Sequence, residues 1–123
     1  GGGCKSLILI AEKCPQLTHI GICDMYVSDT SITKMVKNCP KIKHANFENT
    51  SFNDTALTMM SKNCPNLEYL NIVGCRNVTE EALERFANSS KTSNLKKLCI
   101  SKYSRYISPQ LMDKLIICKP SQR

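Results

Sequence analysis

Three Cys-Pro pairs begin at Cys14, Cys39 and Cys64, each 25 residues after the last. A fixed period of that length means one supersecondary unit written several times. Such a unit cannot bury its apolar face alone, so successive copies must stack. The residues after each pair repeat as well. Leu17, Ile20 and Ile22 recur as Ile42, Ala45 and Phe47, then as Leu67, Leu70 and Ile72. A fourth set, Leu95, Leu98 and Ile100, follows a longer approach, NSSKTSN, in place of Cys-Pro. The last two apolar positions of each set alternate with other residues, the period of a short strand with one buried face.

The rest of each unit changes period. Leu7, Ile10, Ala11 and Cys14 stand at the offsets of a single helical stripe, and so do Ile32, Met35, Val36 and Cys39. Leu57, Met60, Ser61 and Cys64 repeat them, as do Leu83, Phe86, Ala87 and Ser90. One apolar face per helix follows. Ser28, Asn53, Thr79 and Ser108 stand where a side-chain oxygen can accept from the free N–H groups of a first turn. Pro109 suits the first helical position after Ser108. Asp29, Asp54 and Glu80 fall at the positive end of the helix dipole.

These readings predict an α/β fold of about four strand–helix units in one domain, 1–123. It divides into a partial repeat 1–14 and repeats of about 15–39, 40–64, 65–90 and 91–123, the last helix ending near Cys118. The chain opens in mid-repeat without a polar cap, so it reads as the C-terminal part of a longer array. Leu70 falls in the strand core and Lys102 on the surface.

The eight cysteines admit three readings. As four disulfides they would mark a small secreted domain. As zinc ligands they would need close pairing, and the chain has no C-x-x-C. As buried thiols, Cys14, Cys39 and Cys64 fill the last inward position of each helical stripe, before Pro ends the helix. Helix packing would set equivalent cysteines about 10 Å apart, too far for a bond. The third reading is preferred and places the protein inside the cell, in cytoplasm or nucleus. Acceptor sequons at Asn49, Asn53, Asn77 and Asn88 are weak counter-evidence in a chain rich in Asn, Ser and Thr.

The formal net charge is +7. Basic and acidic residues balance over 1–90, so the excess lies in 91–123, where Asp113 alone opposes Lys91, Lys96, Lys97, Lys102, Arg105, Lys114, Lys119 and Arg123. Such a patch could attract nucleic acid, but aromatics are only 6% of the chain and no stacking platform is evident, so nucleic acid ranks last among partners. No apolar run approaches the roughly 18 residues of a membrane span, and no membrane role is expected.

The stretch CPNLEYLNIVGCRNVTEEAL from Cys64 resembles the cysteine-containing subtype of leucine-rich repeat through Cys64, Pro65, Leu67, Leu70, Ile72, Cys75, Val78, Thr79, Glu80 and Leu83. The other units depart from it, with Met25, Thr50 and Tyr103 in place of Cys75. The resemblance implies a right-handed solenoid with parallel strands on a concave face and helices on a convex one. This subtype occurs chiefly in F-box proteins, where the F-box docks on a cullin–RING ubiquitin ligase through an adaptor and the repeats capture substrate. No F-box is present in these residues, so an adaptor would be reached only through one outside them.

Catalysis has thin support. His19 and His44 are the only histidines; either could pair with Cys23, but no third group to orient them is apparent. No cofactor motif is present. The expected site is the concave face, bound by another protein. Three columns of residues should project from it: His19, His44, Tyr69 and Lys97; then Gly21, Asn46, Asn71 and Cys99; then Cys23, Glu48, Val73 and Ser101. His19, His44, Asn46, Glu48, Tyr69, Asn71 and Lys97 are the candidate binding residues. The expected function is substrate recognition for an F-box-type ubiquitin ligase. The alternative is a stand-alone repeat scaffold or inhibitor unconnected to ubiquitin.

Overall fold

The computed structural model describes residues 13–23, 27–101 and 116–118. Along them run β1 (His19–Gly21), α1 (Asp29–Asn38), β2 (His44–Asn46), α2 (Asp54–Asn63), β3 (Tyr69–Asn71), α3 (Glu80–Asn88), a 3-10 turn (Ser90–Thr92), β4 (Lys97–Cys99) and β5 (Ile116–Cys118). The strands form one parallel sheet in chain order. Register is strict: His19 pairs with His44, His44 with Tyr69, Tyr69 with Lys97, and Lys97 with Ile116. The strand–helix alternation and its period are as the spacing predicts.

Each helix begins where its cap residue dictates. Ser28, Asn53 and Thr79 have extended backbones, and their side chains accept from the N–H of Ser31, Ala56 and Ala82. A cap of this kind contributes about 1 kcal/mol. The Asn53 and Thr79 helices carry Asp54, Glu80 and Glu81 in the first turn, and all three helices carry a basic residue in the last, matching the dipole at both ends. Asp54 does more than this. Its carboxylate accepts from the N–H and the hydroxyl of Thr79, each at 2.7 Å, so it ties one helix start to the next. Cys39 and Cys64 are the C-cap residues, their N–H groups reaching Met35 and Met60.

The core lies between sheet and helices. Ala45, Leu70 and Leu98, the central residues of β2 to β4, are completely buried, with Ile32, Met35, Leu57, Met60, Leu83 and Phe86 from the helices in the same cluster. Phe47 and Phe52 stack at 4.8 Å between ring centroids. Each large side chain removed from water in this way contributes about 1.5–3 kcal/mol. Gly74 closes the turn after β3 at φ +78°. A Cβ there would overlap the Asn49 side chain and come within 3.3 Å of its Cα, so only glycine lets the two turns approach.

One expectation is corrected. The reading that ran a helix to Cys118 fails, because Ile116–Cys118 is a strand paired in parallel with β4. The sheet thus has five strands among the described residues. A short apolar run fits helix and strand equally by spacing, and adjacent β-branched residues favour the strand. The expected caps at Ser108 and Pro109, the stripe from Leu7 to Ala11, Met25, Tyr103 and Lys102 lie outside the described residues.

Leu70→Asp would place an unpaired carboxylate in the fully buried centre of the sheet. Loss of several kcal/mol is expected, on the order of 3–5, enough to abolish the cooperative urea transition followed by circular dichroism. A transition like that of the parent chain would contradict the assigned core.

Candidate functional site

Alternation along β1 to β4 directs the central residue toward the core and its two neighbours toward the open face. Parallel register then lines the neighbours up. In the first column the His19 and His44 rings lie 4.3 Å apart and within 7° of parallel. His44 stacks in turn on Tyr69 at 5.8 Å, and the Lys97 ammonium stands 5.6 Å from the centre of the Tyr69 ring. His19 is exposed; His44, Tyr69 and Lys97 are half-buried. His19 Nδ1 shares a hydrogen bond of 2.8 Å with the Thr18 hydroxyl. The sequence places these four residues together by repeat position, but nothing in it announces that they stack.

The second column behaves differently from expectation. Asn46 Oδ1 accepts from the N–H of Glu48, and Asn71 Oδ1 from the N–H of Val73, each at 3.0 Å. The two amides fold back over the strand exits, the local side-chain-to-backbone habit of Asn. Asn71 is only 8% exposed and Cys99 6%. Asn71 Nδ2 also donates to Glu48 Oε1 at 3.3 Å. Asn71 and Cys99 therefore do not project to solvent, and Asn71 serves the sheet. Glu48 remains half-exposed. Among the described residues no hydrogen bond joins either histidine ring to the Cys23 thiol.

Backbone bonds place a further row along the strand-entry edge. The N–H of Lys43 reaches Thr18, that of Glu68 reaches Lys43, and that of Lys96 reaches Glu68. Lys43 and Lys96 are exposed, and Lys96 lies 3.4 Å from Glu68 Oε1. This row was not singled out from the sequence, although its position, one residue before each strand, was readable from the repeat.

The thiols also need correcting. Cys39 and Cys64 are buried, but Cys14 is exposed; Cys23 is exposed too, as its place in the third column predicts. Each buried cap thiol is covered by the unit before it: Cys39 Sγ lies 3.5 Å from the Cys14 carbonyl, and Cys64 Sγ 3.9 Å from that of Cys39. Among the described residues no earlier unit covers Cys14 in this way. Equivalent cysteines also approach more closely than helix packing implied. Cys39 and Cys64 stand at the ends of helices, where the thiol of one unit meets the backbone carbonyl of the unit before it. No disulfide joins the six thiols described, and among the described residues no group of three or more His, Cys, Asp or Glu converges as metal ligands would. Cys75 packs on the preceding unit in the same manner, with Sγ 3.1 Å from the Phe47 carbonyl and 3.7 Å from the Thr50 hydroxyl.

Burial pushes the Cys64 thiol from 9.0 up to about 12, with Cys39 adding to the effect. Cys39 and Cys75 are raised in the same direction, chiefly by burial. Such thiols are neutral fillers rather than nucleophiles. Among the described residues no helix is long and apolar enough to cross a membrane. No protein-family model matches the chain, and no curated protein matches it.

The raised Cys64 pKa makes stability depend on alkali. Between pH 9 and pH 12 the unfolded chain has lost this proton and the folded chain keeps it. Stability is therefore complete below about pH 9 and falls above it, by at most about 1.4 kcal/mol per pH unit for one group. Urea midpoints measured from pH 8 to 11 should decline more steeply for the parent chain than for Cys64→Ala. Parallel declines would show that the thiol is not held neutral.

Proposed function

We propose that the chain is a leucine-rich-repeat solenoid, right-handed as parallel crossovers are, whose open sheet face binds another protein. The carrying observation is the in-register column His19, His44, Tyr69 and Lys97 on the face opposite the core. An open sheet with polar and aromatic side chains at fixed spacing is what stacked repeats offer a partner. Tyr69 is the aromatic anchor of this surface. Binding, rather than catalysis, is the reading the arrangement supports, and it requires no cofactor.

The resemblance of the Cys64–Leu83 stretch extends the proposal. The whole chain, 1–123, acts as one repeat domain of an intracellular, cytoplasmic or nuclear F-box-type receptor. It captures the substrate of a cullin–RING ubiquitin ligase, and the F-box lies outside these residues. The rival readings are a stand-alone scaffold or inhibitor, and a nucleic-acid binder acting through the basic residues of 91–123.

Affinity purification of the endogenous full-length protein from its own cells, followed by mass spectrometry, decides between them. A cullin with its adaptor is expected, together with substrate proteins whose recovery drops at least tenfold with Tyr69→Ala while circular dichroism stays unchanged. Recovery without cullin or adaptor would remove the ligase reading. Undiminished partner recovery with a folded Tyr69→Ala chain would remove the face as the binding site.

A further inference from the structure

The ring stack restricts what the open face can recognise. A stacked ring offers a ligand its edge, because its faces are occupied. His44 has His19 on one side at 4.3 Å and Tyr69 on the other at 5.8 Å. Tyr69 has His44 on one side and the Lys97 ammonium on the other. A nucleic-acid base or a partner's aromatic ring therefore finds no face between them to stack on, whereas single-strand binding depends on such faces. What reaches the ligand is a row of edges: imidazole nitrogens, a phenol hydroxyl and an ammonium, all able to donate hydrogen bonds.

The charge beside the row has the same preference. Lys43 and Lys96 are exposed along the strand-entry edge, adjoining Lys97. Glu68 offsets Lys96, and Glu48, which accepts from the neutral Asn71 amide, keeps its charge at the strand exits, so the cationic margin at the strand entries is carried by Lys43 and Lys97. A donor row on a cationic margin matches an acceptor row of opposite charge.

Length sets the form of that partner. From His19 to Lys97 the column crosses three strand spacings, about 14 Å. In an extended peptide, side chains two residues apart project to the same side about 7 Å apart. Three acidic residues at alternate positions therefore span the column. We infer that the open face takes an extended acidic segment of its partner protein, with carboxylates at i, i+2 and i+4 received at His19, between His44 and Tyr69, and at Lys97. This rests on the proposal that the face binds a protein, and gives that protein's segment a chemistry.

The test is fluorescence anisotropy with the 123-residue chain and labelled peptides. The probes are alternating Ser-Glu, alternating Ser-Gln and alternating Ser-Lys peptides of eight residues, with a single-stranded oligothymidylate as a fourth. The Ser-Glu peptide is expected to bind at least about tenfold tighter than the Ser-Gln peptide, and more weakly as salt rises. Lys97→Glu should weaken it at least about tenfold, whereas Lys34→Glu, an equal charge change on exposed helix surface, should not. Equal binding or no binding of the Ser-Glu and Ser-Gln peptides would overturn the inference. So would an equal effect of both substitutions, which marks general charge attraction, or preferential binding of the oligothymidylate. If acidic selectivity fails while cellular partners still depend on Tyr69, the face binds a protein of other chemistry. If both fail, the protein-binding reading falls with it.

Discussion

The parallel register of three-residue strands is the constraint on which the rest depends. A strand so short has little stability of its own. It persists because each residue meets its equivalent in the neighbouring unit. Ala45, Leu70 and Leu98 form one buried line on the core side. A slip of one residue would send that line to solvent and bring the His–Tyr–Lys column into the core. The polar links between units enforce the same match, Asp54 to Thr79 on the helix side and Thr50 to Cys75 in the interior. Each joins residues 25 apart, the period of the sequence.

From that register follows a division of labour within a strand. The central residue holds the sheet to the helices. The first residue of each of β1 to β4 is left to the open face, and the last, at Asn46 and Asn71, closes the strand exit. The exposed column and the fold are therefore written by adjacent letters of the same repeat. The cysteines belong to the fold side of this division. They are small enough for neighbouring units to meet, and burial keeps the inner ones protonated.

Much of this was legible in the sequence because repetition removes ambiguity. A single Leu-x-Ile could sit in many structures; three copies at equal spacing fix strand, helix and register together. Ser28, Asn53 and Thr79 were readable as caps because their chemistry is local. What was not legible depends on distances between units. The burial of Asn71 follows from its amide finding both the Val73 N–H and Glu48. The ring stack follows from strand spacing, which sequence period does not state. Ile116–Cys118 was misread because it stands outside the 25-residue rhythm, where a short apolar run loses the support of its copies.

The central claim is the register, and nuclear magnetic resonance tests it directly. Nuclear Overhauser effects measured on the isotope-labelled chain should connect ring protons of His19 to His44 and of His44 to Tyr69, with Leu70 meeting Ala45 and Leu98 across the sheet. Cross-peaks displaced by one residue, or joining His44 to residues of the core, would contradict the account.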